Sequence, residues 1–171
     1  ERHLARLRLR VIFYFSTERR IGTKSQNEHN SPKLAQNVRA AKFQPKVALI
    51  LGSGLGDYVK QVKVEITLDY SDIEGFPVST VPGHKGRFVF GYVKEVPVVI
   101  MQGRVHYYEG YDMADVVLPV RLMKMMGAQV LFLTNAAGGV NENFHAGELM
   151  LIKDQISSFV PSPLIGPNMD K

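Results

Sequence analysis

The chain has 171 residues, 45% hydrophobic and 22% charged, which suits one globular domain with a sizeable core and is too short for two comfortable ones. It has no cysteine, so disulfides and thiolate chemistry are excluded and a reducing compartment is favoured. The net charge of +5 averages two unlike parts, since residues 1–46 hold 11 Lys/Arg against 3 Asp/Glu (+8) and residues 47–171 hold 10 against 13 (−3).

The basic character therefore belongs to the arm, and a nucleic-acid function inferred from the whole-chain pI fails. No apolar run approaches the roughly 20 residues that span a bilayer, so a cytoplasmic protein with no membrane partner is expected. In the arm, Arg6, Arg8, Arg10, Arg19 and Arg20 bracket Val11-Ile12-Phe13-Tyr14-Phe15. That run is too short for a signal-peptide core, and Glu1 and Glu18 are out of place in a transit peptide. Residues 1–30 are read as a basic, poorly ordered arm and 31–171 as the body. The missing initiator Met points to a fragment, a processed product or an extended reading frame.

Ser31-Pro32 opens a predicted short helix through Leu34, Val38 and Ala41, closed by Pro45. Val47-Ala48-Leu49-Ile50-Leu51 reads as a buried strand running into the turn Gly52-Ser53-Gly54-Leu55-Gly56, with a helix from Leu55 to Val62. Ile66 to Tyr70 is a weaker strand. Residues 88–93 and 96–101, joined across Lys94-Glu95, form a predicted hairpin. Asp112 to Met126 is amphipathic, started by Asp112 and stopped by Gly127, and Pro119 predicts a kink or break in it. Val130-Leu131-Phe132-Leu133-Thr134 is another buried strand, ending in the turn Asn135-Ala136-Ala137-Gly138-Gly139; Glu148 to Ile152 is a further one. Apolar strands separated by helices indicate an α/β sheet covered on both faces, with ligands beyond the strand ends.

The chemistry concentrates at those ends. In Gly52-Ser53-Gly54-Leu55-Gly56 the backbone can approach an anion at a helix start, and Ser53 adds a hydroxyl; a tight strand-to-helix turn without ligand needs the same glycines. No Gly-Lys-Ser/Thr follows, so it is not a nucleotide P-loop. Pro82-Gly83-His84-Lys85-Gly86-Arg87 leaves His84 able to reach a ligand, the alternative being a solvated loop. Gly103-Arg104-Val105-His106-Tyr107-Tyr108-Glu109-Gly110-Tyr111 is the most informative stretch. Arg104 and His106 alternate, so both point the same way, and a guanidinium fork with an imidazole suits phosphate oxygens. Tyr108 continues that face, and Glu109 could hold one ring nitrogen of His106. The alternative is a surface Arg104–Glu109 salt bridge. The small residues at Asn135 to Gly139 fit backbone amides near a ligand, or close packing. Scattered histidines give no metal site.

Ile50 to Gly56, Ser79-Thr80-Val81-Pro82-Gly83-His84, Gln102 to Tyr111 and Thr134-Asn135-Ala136-Ala137-Gly138-Gly139 occur in the order and spacing of the trimeric purine nucleoside phosphorylases, which the chain resembles over about residues 31–168. The resemblance implies an α/β/α sandwich around a mixed sheet, and reversible cleavage of a purine nucleoside by inorganic phosphate, a co-substrate, with no cofactor. It implies phosphate binding by Ser53, His84, Arg104, His106 and the backbone at Ala136, ribose contact by Tyr108, and orientation of His106 by Glu109. It also implies a homotrimer at full length. The family relative acting on methylthioadenosine is less similar in these motifs.

The resemblance corresponds to roughly the first half of a family chain, truncated at the C-terminus, and the family's purine-binding residues come later. The isolated 171 residues are therefore expected to be inactive. The alternatives are a truncated, inactive homologue serving as an assembly module, or an adaptor in which residues 1–30 bind nucleic acid or membrane.

Overall fold

The computed structural model describes residues 8–16, 43–80 and 85–165. Its strands form one mixed sheet: β1 (Arg8–Ser16), β2 (Val47–Leu51), β3 (Lys63–Asp69), β4 (Arg87–Val93), β5 (Val96–Gln102), β6 (Val130–Gly138) and β7 (Leu149–Leu151), in spatial order β3-β4-β5-β2-β6-β1-β7. Helix α1 (Met113–Met125) connects β5 to β6. β2 is parallel to both its neighbours, with Val47 opposite Val98 of β5 and Val130 of β6. β3, β4 and β5 meander antiparallel.

The strand alternation divides the core. Ala48, Ile50, Phe88, Phe90, Val99 and Met101 lie on one face, packed against Leu118, Leu122 and Met123 of α1. Tyr70 and Phe76 close this layer, with ring centroids 4.8 Å apart, and the buried Tyr70 hydroxyl donates to the Gly103 carbonyl at 2.8 Å. Burial pushes the Tyr70 phenol well above its ordinary value. On the other face Leu51, Val89, Val98 and Ile100 pack with Val59 from the short 3-10 helix Gly56–Gln61 and with Val62 just after it. That helix covers only part of its face, and an apolar groove of about 470 Å³ remains beside Leu49, Leu51, Val98 and Phe132.

The predicted hairpin is present as β4–β5, and its two-residue turn holds Lys94 at φ 54°, in the left-handed region. Asp112 occupies the cap position of α1, using its carbonyl rather than its side chain to accept from Asp115 and Val116, and Gly127 ends the helix at φ 113°. The predicted break at Pro119 does not occur. The proline removes one donor from the middle of the helix, but Leu118, Leu122 and Met123 on the flanking turns are buried and hold it to the sheet.

Two further expectations are corrected. Leu55 to Val62 forms a single stretch of 3-10 helix, Gly56–Gln61, because the chain turns back into β3 at Lys63. Asn135 to Gly138 is not a turn: β6 runs through it, since β1 supplies a ladder partner to every residue from Val130 to Gly138. The same ladder includes Arg8–Ser16, while the rest of the expected arm, residues 1–7 and 17–30, lies outside the described residues. The predicted helix over residues 31–41 lies outside the described residues. No helix among the described residues is long and apolar enough to cross a membrane.

Candidate functional site

The parallel arrangement of β5, β2 and β6 brings three strand ends side by side. Gly52 follows β2, Gly103 and Arg104 follow β5, and Thr134 lies within β6. Thr134, almost fully buried, ties them together. Its hydroxyl donates to the Ile50 carbonyl at 3.0 Å and accepts from the Gly52 amide at 2.9 Å. Its carbonyl accepts from Arg104 Nη1 at 2.9 Å. Gly52 allows this approach: a Cβ there would sit 2.4 Å from the Thr134 carbonyl oxygen and 2.7 Å from Asn135 Cα.

From Arg104 a chain of contacts runs outward. Arg104 Nε donates to His106 Nε2 at 3.3 Å. On the other side of the ring, His106 Nδ1 lies 2.8 Å from Glu109 Oε1, which also accepts from the His106 amide at 2.7 Å. A carboxylate at Nδ1 and a donor at Nε2 together place the ring proton on Nδ1. Tyr108 stacks on the imidazole, 4.6 Å between centroids and 17° between planes, while remaining 74% exposed. The second carboxylate oxygen of Glu109 accepts from the Thr80 amide at 2.7 Å, the Thr80 hydroxyl at 2.9 Å and the Ser79 hydroxyl at 3.2 Å.

Glu109 therefore works as an anchor. Burial raises its carboxyl, but bonds from the Thr80 amide, the His106 ring, the Thr80 hydroxyl and the His106 amide outweigh that and bring it down to about 2. The bonds of this carboxylate run to His106, Thr80 and Ser79, a role different from the surface Arg104–Glu109 pair left open by the sequence. For Arg104, burial lowers the guanidinium from its ordinary value, with Tyr108 acting in the opposite sense.

Arg104, His106 and Tyr108 form the polar wall of a cavity of about 390 Å³, whose apolar wall includes Ile50, Leu133 and Val120. Of the residues singled out from the sequence, Arg104, His106, Tyr108 and Glu109 are thus brought together by direct contact. Ser53, exposed, stands one residue beyond the bonded Gly52. Ala136 stands two beyond Thr134 and pairs with Arg10 of β1. His84 lies outside the described residues. Groups of His, Asp and Glu that could hold a metal are absent among the described residues.

Sequence reasoning gave no role to Thr134, Ser79, Thr80 or Gln102. Gln102, buried, accepts from Arg87 Nε at 2.8 Å and donates to the Gly56 carbonyl at 2.7 Å, fastening the first glycine turn to the hairpin. The available signal was a polar residue ending an apolar strand, Thr134 after Val130 to Leu133 and Gln102 after Val98 to Met101.

Known proteins resemble this chain over most of its length. The profile of the Phosphorylase superfamily matches residues 46–170. Purine nucleoside phosphorylase 1 of Geobacillus stearothermophilus is 54% identical over 124 residues, covering 72% of this chain and 45% of that protein. The Bos taurus purine nucleoside phosphorylase is 49% identical over 133 residues, covering 75% and 45%. Among solved structures, a purine nucleoside phosphorylase in complex with ribose-1-phosphate superposes with a TM-score of 0.64 at 41% identity, over 73% of this chain and 46% of the other. The chain thus spans about half the length of the curated relatives it matches. The matched profile spans the segment that carries the strand-end cluster, and the chain belongs to the phosphorylase superfamily.

Proposed function

We propose that this chain carries the phosphate-gripping half of a purine nucleoside phosphorylase, which cleaves a purine nucleoside with inorganic phosphate to the free base and (deoxy)ribose 1-phosphate. The observation that carries the reading is the bonded series Thr134–Arg104–His106–Glu109 along one wall of a cavity at the ends of parallel strands. A solved relative with a TM-score of 0.64 holds ribose-1-phosphate, and a schistosoma relative with a TM-score of 0.63 holds hypoxanthine.

In this reading Arg104, His84, the Ser53 hydroxyl and the Ala136 amide hold the phosphate together with His106, which takes up a proton at Nε2 to donate to it, and Tyr108 lies against the sugar. Breaking the glycosidic bond leaves its electron pair on the base and develops positive charge at C1′. A fixed phosphate dianion stabilises that charge and forms the new C–O bond. Glu109 positions His106 by holding Nδ1. No covalent enzyme intermediate and no cofactor is needed. The full-length protein would act as a homotrimer, as the resemblance implies.

The test is phosphate titration of the chain by calorimetry. Saturable binding, displaced by sulfate and weakened about tenfold or more by Arg104→Ala, is expected for a lost charge-assisted fork. Heat that does not saturate with the unsubstituted chain, or binding that survives Arg104→Ala unchanged, refutes the assignment.

A further inference from the structure

We propose that Arg8–Ser16 is a detachable donor strand, and that the rest of the sheet keeps between β6 and β7 a slot that accepts an extended segment antiparallel to β6. The topology carries the argument. β6 and β7 are consecutive in sequence among the described strands and run antiparallel to each other, joined by residues 139–148, yet they do not pair as a hairpin. The first strand of the chain stands between them instead. It pairs with β6 from Arg8↔Gly138 to Ser16↔Val130, which is the longest ladder among the described residues, and with β7 from Arg10↔Leu149 to Ile12↔Leu151.

Without β1, the backbone of β6 would be an open edge over its whole length, a template for another strand. The arm's Val11-Ile12-Phe13-Tyr14-Phe15 has the β-branched and aromatic residues that favour pairing. Residues 17–42 separate this strand in sequence from the rest of the described sheet, so its departure leaves the direct β6–β7 connection through residues 139–148 unbroken. Covalent attachment raises the strand's effective concentration at the slot, and a free copy of the segment makes the same backbone bonds at a higher peptide concentration. The same segment added as a free peptide therefore fits the same slot. This proposal is independent of the phosphorylase reading, because its test measures strand pairing and not catalysis.

The experiment uses the full chain with Val11→Pro and Tyr14→Pro, which removes two backbone donors that point to opposite edges of β1. It is titrated with a synthetic peptide of residues 6–18, followed by fluorescence anisotropy and hydrogen exchange. Saturable binding is expected, with exchange of the 130–138 amides slowed about tenfold or more when peptide is added. The unsubstituted chain, its slot already filled, should bind the peptide about tenfold more weakly or less. No binding to the proline variant, or equal binding by both chains, overturns the proposal.

Should the variant aggregate, cross-linking in the otherwise unaltered chain decides. The protein has no cysteine, so Tyr14→Cys with Phe132→Cys, backbone partners across the ladder, reports register directly. Oxidation should link that pair and leave Leu9→Cys with Phe132→Cys unlinked. Failure of the first pair to link, or equal linking of both, overturns the proposal.

Discussion

Replacing Glu109 by Gln tests the anchor beneath the proposed phosphate site. Both oxygens of this carboxylate accept from more than one donor: Oε1 from the His106 amide and ring, Oε2 from Thr80 and Ser79. An amide offers only one oxygen, so whichever way Gln turns, its NH2 faces donors. The side chain is only 3% exposed, so water cannot make up the loss. Holding the carboxyl at about 2 rather than 4.5 amounts to about 3 kcal/mol at roughly 1.4 kcal/mol per tenfold. The folded value lies below the unfolded one, so this stability is fully present above about pH 4.5 and is lost as pH falls toward 2. Urea unfolding should show Glu109→Gln destabilised by about 2–3 kcal/mol at pH 7, with the gap to the unsubstituted chain shrinking below pH 4.5. Equal stability at pH 7, or a gap of the same size at pH 7 and pH 3, would refute the anchoring role.

Two substitutions test the junction of the strand ends. Thr134→Val leaves the Gly52 amide without its buried acceptor and should cost about 1–3 kcal/mol, whereas Thr134→Ser, which keeps the hydroxyl, should cost less than about 1 kcal/mol; urea midpoints of the two variants decide. Gly52→Ala places a methyl group against the Thr134 carbonyl and Asn135 Cα, where backbone on both sides must move, and a loss of about 3 kcal/mol or more is expected from the same measurement. An alanine variant as stable as the parent would mean that β2 and β6 do not approach as closely as described.

What the sequence reveals about this protein follows the range of each physical signal. Apolar runs of β-branched residues mark β2, β4, β5 and β6, because burial on a two-sided sheet demands them at every position. The Arg104-to-Glu109 cluster is legible for the opposite reason: its polar groups have no use in a core, and their spacing already determines which of them meet. Partners distant in sequence leave no such trace. Nothing near Glu109 announces Thr80, and nothing near Gly52 announces Thr134, since each bond joins loops that only the folded sheet brings together.

The N-terminal strand shows the same limit from the other side. Its charge and length read as a solvated arm, and only an open edge elsewhere in the chain makes pairing favourable. The extension of β6 through Asn135 to Gly138 follows from that pairing. Small residues there look like a turn in isolation, yet they accept strand geometry once a neighbour supplies the ladder. Local composition thus sets what a segment can become, and the edge it meets sets what it is. The segment assigned to the phosphate amide and the segment assigned to the arm are therefore coupled: displacing Arg10 from Ala136 would alter the backbone on which the Ala136 amide depends.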